Sequence, residues 1–493
     1  MVTPERDGRA IFKILKVVVN DGVGARVGVL SFPKRRPLET PNFLGLTARG
    51  AVPHVTPDNV TKRTEIGGVY MALEDSPAIL ELKSDELEPL HAFTATPPQM
   101  FTVLAARRHP AVASPIGNAK DSISVFTSTG FRNLTTETYR EAVDSLKPDA
   151  VIPLADLSYV QTPTVSYSKK WTFVSNSKRQ HRMIDRTEEW LAEFLQLGES
   201  EGEAGDRPSA VFAPVLPIPY PTQWEYLHTM EKEHSAKLSG LAVYDVDVLP
   251  DLIHHRPLMS LPRLSLNSTV SPQDILRQIQ LGIDLFAVEF LNTISDAGIA
   301  LSFSFPAPQN TDGEIKPLGI NMWSQDHEVS VTPLADGCQC HACTKHHRAY
   351  LHHLLEAKEM LGWTLLQIHN YHIMNKFFVG VRDSLKEGED KFQRDCDNFS
   401  RAYDSELPVG TGVRPRARGY NFKSQGGDDK MNAPAWAKYE GESDPALAGK
   451  QAGLVVTGAA AEGNETPLVP DANAMKLDQE GFAEITKLEQ SAM

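Results

Sequence analysis

The sequence predicts an α/β fold built on parallel strands, and three observations lead to this prediction. Short apolar runs occur through the middle of the chain, and amphipathic helical patterns separate them. Strands separated in this way are typical of parallel βα units. The 493 residues contain neither a G-x-G-x-x-G nor a G-x-x-x-x-G-K-[ST] loop, which weakens the doubly wound nucleotide-binding folds as alternatives. Periodicity alone does not decide between a closed barrel and an open sheet.

The predicted elements follow one another in a regular order. Apolar runs of strand length occur at residues 149–154, 209–216, 238–243 and 283–290. Helical patterns precede these runs at residues 137–146, 187–197, 222–234 and 271–281. The last of these helices should begin at Ser271, because a serine N-cap followed by a proline is typical of a helix start.

The composition indicates a soluble protein. Hydrophobic residues make up 41% of the chain and charged residues 23%, which is enough for a large core. Subtracting 63 acidic from 49 basic residues gives a net charge of −14, which argues against non-specific coating of nucleic acid. The first twenty residues lack the apolar segment of a secretory signal, and no apolar run reaches the ~18 residues of a membrane span. We therefore expect a cytosolic protein.

Three of the four cysteines are clustered and predict a metal site. Cys338, Cys340 and Cys343 form a C-x-C-x2-C pattern, whose thiolates can converge on one tetrahedral Zn²⁺ that needs a fourth ligand. A helical hairpin is predicted after them, its first helix ending at Gly362, and its second helix would bring His369 back to the cysteines. Spacing alone leaves other histidines open as the fourth ligand, namely His341, His346, His347, His352, His353 and His372. The alternative is a set of unliganded surface thiols, which would be prone to oxidation.

At these residues the chain resembles the tRNA-guanine transglycosylase family. The resemblance rests on the cysteine pattern, on the run 348–354 (RAYLHHL) and on His369-Asn370. Weaker matches lie upstream, at residues 43–59, 185–191, 239–243 and 274–286. The resemblance covers residues 10 to 400. It implies a (β/α)8 barrel of the TIM type with an inserted zinc-binding subdomain, and it implies His369 as the fourth ligand of one structural Zn²⁺ per chain.

This resemblance and the composition together predict four regions. Residues 1–330 would form the barrel, 331–400 a zinc-binding helical subdomain that returns to the barrel, and 401–430 a C-terminal extension. Residues 431–493 carry a net charge of −6 and are rich in Ala, Gly, Glu and Pro, so we expect a mostly disordered acidic tail. Residues 198–208 are acidic and glycine-rich and predict a loop.

The family's chemistry requires two carboxylates, and this sequence departs from the family pattern at both. One carboxylate attacks the ribose C1′ while guanine is exchanged for a deazaguanine base at the tRNA wobble position, and the other acts as a general acid or base. Ala287 occupies the nucleophile position. Glu289 lies two residues further and would share its strand face. Asp121-Ser122 only partly matches the loop of the second carboxylate, and Asp156 could match a base-recognising aspartate.

The loss of both carboxylates with retention of the zinc site resembles the family's non-catalytic subunit. This implies a heterodimer with a catalytic queuine tRNA-ribosyltransferase subunit and contact with tRNA through that complex. It also implies a cytoplasmic location with peripheral association at the outer mitochondrial membrane. A basic stretch at residues 168–186 could contact phosphates or could be a solvated helix start. Two alternatives stay open, an active transglycosylase that uses displaced carboxylates and a zinc-stabilised interaction protein without a tRNA function.

Overall fold

A closed barrel of eight parallel strands forms the centre of the protein. The computed structural model describes residues 11–18, 24–75, 89–112, 117–127, 130–157, 160–161, 171–172, 176–200, 209–308 and 315–412. The barrel strands, in chain order, are β1 (Asn42–Leu46), β2 (Gly68–Ala72), β3 (Phe101–Ala105), β4 (Ala150–Ile152), β5 (Ala210–Val215), β6 (Gly240–Val243), β7 (Arg263–Ser265) and β8 (Leu285–Ala287). Each strand pairs in parallel with the next, and β8 pairs with β1 to close the ring. The predicted (β/α)8 barrel is thereby confirmed.

An α-helix follows each barrel strand in the described part of the chain, which is the regular βα alternation that the sequence predicts. The helices are α1 (Pro57–Arg63), α2 (Leu90–Phe93), α3 (Thr136–Leu146), α4 (Ser177–Ser200), α5 (Tyr220–Thr229), α6 (Arg256–Met259), α7 (Pro272–Gln280) and α8 (Phe290–Asp296). Helix α7 begins as expected, because the Ser271 hydroxyl accepts a hydrogen bond from the Asp274 amide. A π-helical turn, Met230–His234, extends α5.

Shorter antiparallel elements surround the barrel. A three-stranded sheet is formed by Ile11–Val17, Arg26–Ser31 and Leu38–Thr40, and two-stranded ladders pair Ser122–Thr127 with Gly130–Thr135, Val160–Gln161 with Trp171–Thr172, and Ile299–Leu301 with Gly319–Asn321. Turns of 3₁₀ helix occupy Leu73–Asp75, Val246–His254 and Gln325–His327. The first sheet is tied to the barrel by a buried ion pair of 2.6 Å between Arg26 and Asp284.

Within the described residues, four α-helices follow the ladder at Ile299–Leu301. They are α9 (His341–Lys345), α10 (Arg348–Glu356), α11 (Met360–Glu387) and α12 (Glu389–Ala402). The prediction that the first hairpin helix ends at Gly362 is wrong. Helix α10 ends at Glu356, Lys358 adopts a left-handed φ of 56°, and Gly362 lies inside α11, where an added Cβ would come within 3.2 Å of Leu354.

Two other boundaries differ from the prediction. The strand predicted at residues 283–290 is limited to Leu285–Ala287, because Phe290 already begins α8. Residues 198–200, predicted as part of a loop, belong to α4. The tail at 431–493 lies outside the described residues, and the four predicted region boundaries stay predictions. Among the described helices, none combines the length and the apolar character needed to cross a bilayer.

Candidate metal centre and barrel mouth

Cys338, Cys340, Cys343 and His369 converge on one point. Their ligand atoms all lie within 4.8 Å of one another, and the three Sγ atoms are 3.8, 3.5 and 3.4 Å from His369 Nδ1. A tetrahedral Zn²⁺ with ordinary bond lengths would hold sulfur and nitrogen ligands about 3.6 Å apart. The four side chains are therefore positioned to bind a metal ion of zinc's size and coordination preference.

The local structure explains this convergence. Cys340 is the N-cap of α9, and its sulfur accepts a hydrogen bond from the Cys343 amide at 3.3 Å. His369 is fully buried on α11. Its Nε2 donates to the Leu301 carbonyl at 2.8 Å, which leaves Nδ1 facing the thiols. A histidine ligand is commonly oriented by such a hydrogen bond from its other ring nitrogen.

The protons of the four groups are strongly coupled. Burial alone would lower the pKa of His369, but hydrogen bonds to Cys338 and Cys343 outweigh burial and raise this pKa to about 9. Hydrogen bonds with Cys340 and Cys343 lower the pKa of the Cys338 thiol. Both shifts favour a protonated His369 imidazole beside a deprotonated Cys338 thiolate. A bound divalent cation would take the place of the imidazole proton and would balance the thiolate charge.

The other candidate histidines lie outside this group of four. His352 is buried and its Nδ1 lies 2.9 Å from the Met322 carbonyl oxygen, while the ring of His346 stacks on Tyr350 at 5.0 Å. His372 is different, because a hydrogen bond from it also lowers the pKa of Cys338. His372 lies three residues after His369 on α11, a spacing that puts both side chains on one face of the helix and is the sequence signal for a supporting partner.

Ala287, which the family resemblance assigns to the nucleophile position, lies at the carboxyl end of β8 and carries only a methyl group. Ala287 is the last residue of that strand and is 1% exposed. The expectation that Glu289 continues the same strand face is wrong, because its backbone is helical and it is the N-cap of α8. Its carboxylate lies 2.9 Å from His109 Nε2 and accepts a hydrogen bond from the Ser268 hydroxyl at 3.1 Å. Glu289 thus accepts a hydrogen bond from Ser268 and lies in close contact with the His109 ring.

Ion pairs fill the neighbouring part of the barrel mouth. The buried Arg108, which follows β3, donates from Nε to Glu74 at 3.1 Å, and its Nη2 lies 3.3 Å from Asp75. The buried Asp156, which follows β4, accepts hydrogen bonds from Arg179 at 2.6 Å and from Arg186 at 3.0 Å. Its carboxylate therefore faces two guanidinium groups.

The two arginines come from the basic stretch at residues 168–186, and they turn inward to Asp156. The side chains of Lys169, Lys170, Trp171 and Phe173 lie outside the described part of the chain, whereas Lys178 and Arg182 are exposed. Asp121 is also exposed, at the start of the hairpin strand Ser122–Thr127. Ser122 therefore begins a strand of the hairpin.

Little space remains between these groups. The recess at the carboxyl ends of the strands is lined by Tyr70, Arg108, His109, Leu154 and Tyr244, among others, and has a volume of about 30 Å³. That volume holds about one water molecule, whereas small-molecule pockets are roughly 300–1,000 Å³. The recess that the described residues line is therefore much smaller than a pocket that encloses a small molecule.

Comparison with known proteins places this architecture in one family. The family model of queuine tRNA-ribosyltransferase matches residues 21–405. A fission yeast protein, Schizosaccharomyces pombe queuine tRNA-ribosyltransferase accessory subunit 2, is 34% identical over 88% of this chain and 94% of its own length. Proteins of the same name from Drosophila mojavensis and Anopheles gambiae are 28% and 27% identical over 76% and 73% of this chain, and over 88% and 86% of their own lengths.

Proposed function

The chain belongs to the queuine tRNA-ribosyltransferase family, and we propose that it is the non-catalytic subunit of a heterodimer in that family. The complex would exchange guanine for queuine at the wobble position of tRNA, which is the queuosine modification. The catalytic subunit would supply the chemistry, and this chain would contact tRNA only as part of the complex. The names of the similar proteins support this assignment.

The observation that carries the proposal is the methyl group of Ala287 at the end of β8. Covalent exchange needs a nucleophile that bonds to the ribose C1′ while the base departs, and a methyl group has no electron pair to donate. Glu289 cannot replace it where it stands, because His109 and Ser268 engage its carboxylate. The recess of about 30 Å³ further supports the absence of a base-binding step in this chain.

We further propose that the metal is one structural Zn²⁺ per chain, held by Cys338, Cys340, Cys343 and His369. Three thiolates and one imidazole complete a tetrahedral shell, so no coordination position is left for substrate or water. The ion would join the loop before α9 to the middle of α11. This structural role does not depend on catalysis, so the zinc site can be retained in a chain that lacks a catalytic nucleophile.

We propose that the catalytic subunit docks on the zinc subdomain. Large apolar side chains are exposed there, since Val331 and Met360 are 78% and 66% exposed. Exposed large apolar side chains are candidates for protein–protein contacts. A cytoplasmic location, with peripheral attachment at the outer mitochondrial membrane, remains a further proposal.

The test is guanine exchange into tRNA by the purified chain, by the catalytic subunit and by the two together. We expect no exchange by this chain alone and full exchange by the pair. Met360→Lys should weaken the pairing, whereas Leu15→Lys, a matched change at an exposed leucine of the first sheet, should leave it unchanged.

Two experimental outcomes would contradict the proposal, and each would support a different function. Exchange by this chain alone that is lost in Glu289→Ala would identify an active transglycosylase with a displaced carboxylate. Failure to bind both the catalytic subunit and tRNA would leave a zinc-stabilised interaction protein.

A further inference from the structure

A second group of metal-ligating side chains lies on the outside of the barrel, where α5 meets the segment before α6. His228, Glu231 and His255 each point one ligand atom into the same space, and these atoms lie within 4.8 Å of one another. His228 and Glu231 are three residues apart, on one face of the helix that runs from α5 into the π-helical turn. Such turns often occur at functional sites.

The spacing suits a transition-metal ion. Glu231 Oε2 lies 2.9 Å from His255 Nδ1 and 4.0 Å from His228 Nδ1. Ordinary zinc bonds would place such nitrogen and oxygen atoms about 3.4 Å apart, a value between the two distances. His228 is 43% exposed, and a small movement of its side chain along the Trp224 ring on which it stacks would close the remaining gap. We propose that His228, Glu231 and His255 bind a second divalent transition-metal ion, with Zn²⁺ as the expected occupant.

Neighbouring side chains already hold two of the ligands in place. The Tyr220 hydroxyl lies 3.2 Å from Nε2 of the buried His255. When Nδ1 binds the metal, Nε2 carries the ring proton and would donate a hydrogen bond to this hydroxyl. The indole of Trp224 stacks on the His228 ring at 5.0 Å with an interplanar angle of 11°. Supporting contacts of this kind are typical of metal-bound histidines.

The site would differ from the Cys3His group in two ways. Two imidazoles and one carboxylate supply only three protein ligands, so a fourth position stays open for water or for a donor from another molecule. Lys232 Nζ lies 3.9 Å from the second oxygen of Glu231 and competes for it, so the affinity should be lower than that of the four-ligand site. Binding would replace the proton between His255 and Glu231.

Calorimetric titration of the full chain with Zn²⁺, after the Cys3His group has been loaded, tests this site directly. We expect one further ion per chain, bound with at least tenfold lower affinity by His228→Gln. His181→Gln, which changes another exposed histidine on a helix, should bind the further ion as the unaltered chain does. Because His228 is half-exposed, its replacement should leave the thermal melting temperature unchanged.

Two results would overturn the inference. One is that the unaltered chain takes up no ion beyond the first, and the other is that His228→Gln retains the second ion at full affinity. Neither result depends on tRNA exchange or on the catalytic subunit, so the inference can fail while the proposed function holds.

Discussion

His369 and Leu301 connect the metal centre to the two-stranded ladder that follows α8 through one hydrogen bond of 2.8 Å, from the imidazole Nε2 to the main-chain carbonyl oxygen. The bond fixes which ring nitrogen faces the cysteines. It also means that the helix carrying the fourth ligand is held by the ladder strand Ile299–Leu301. Metal binding and the packing of this helix are therefore coupled. A change in one should be measurable as a change in the other.

Cys340→Ser should abolish zinc binding and unfold the zinc subdomain. A serine can still cap α9 as Cys340 does, but it is a poor ligand for Zn²⁺, so the loss would report the metal and not the cap. Native mass spectrometry should show one zinc ion per unaltered chain and none in the variant. Cys396→Ser removes a buried thiol elsewhere and should keep the ion. Folded protein without zinc would contradict the prediction.

Asn370→Ala should destabilise the chain by about 3–5 kcal/mol, because several buried polar groups lose their partners. The Asn370 amide donates to the Ser295 hydroxyl and the Ile299 carbonyl, and its oxygen accepts from the Leu301 amide, each at 2.9 Å. Chemical denaturation measures the free energy of unfolding. Asn398→Ala, at an exposed asparagine of α12, should change it by less than about 0.5 kcal/mol. If the two variants lose equally little free energy of unfolding, the Asn370 contacts contribute little to the stability of the chain.

The metal centre could be predicted from sequence because its signal is local. Three ligands lie within six positions, whereas spacing left seven histidines open as the fourth ligand and only the family resemblance implied His369. The contacts at the barrel mouth could not be predicted in this way. His109 meets Glu289, and Arg179 meets Asp156, only because the closed barrel brings distant loops together.

The helix boundary predicted at Gly362 is wrong because this glycine packs against a neighbouring helix. Gly362 is a common helix-ending residue type, but here it serves close packing of α11 against Leu354, and Lys358 ends the preceding turn instead. A glycine whose task is close approach has the same appearance in a sequence as one that ends a helix. Only the position of the neighbouring helix distinguishes the two.

Ala287→Asp should not create an active enzyme, although it restores a carboxylate at the nucleophile position. The recess lined by the described residues, about 30 Å³, is far smaller than a small-molecule pocket, and a carboxylate at a site that is 1% exposed should also lower stability. Trapping of a covalent tRNA adduct is the measurement, with circular dichroism to establish that the variant is folded. Ala287→Ser adds one uncharged oxygen and serves as the control. An adduct with Ala287→Asp would show that the mouth opens and that only the nucleophile is missing.

Asp75→Asn should make the chain more stable at neutral pH and should have little effect in acid. Burial raises the pKa of Asp75 from 3.8 to about 6, even though Arg108 acts in the opposite direction. Between these two values the folded state binds more protons than the unfolded state, so the free energy of unfolding falls as the pH rises from about 4 to about 6. A shift of this size corresponds to about 3 kcal/mol at most.

The amide of asparagine does not ionise, so that pH-dependent loss should disappear in Asp75→Asn. Denaturation of variant and unaltered chain at several pH values should give a difference that grows from about pH 4 and levels off above about pH 6. Asp121→Asn, at an exposed aspartate of the hairpin, controls for the change of one charge and should show no such growth. A constant difference for Asp75→Asn across this range would mean that Arg108 and the Arg49 amide, which donates to Asp75, already compensate the buried charge. The ion pairs at the barrel mouth would then offset the cost of burying the Asp75 charge, and this carboxylate would not lower the stability of the chain at neutral pH.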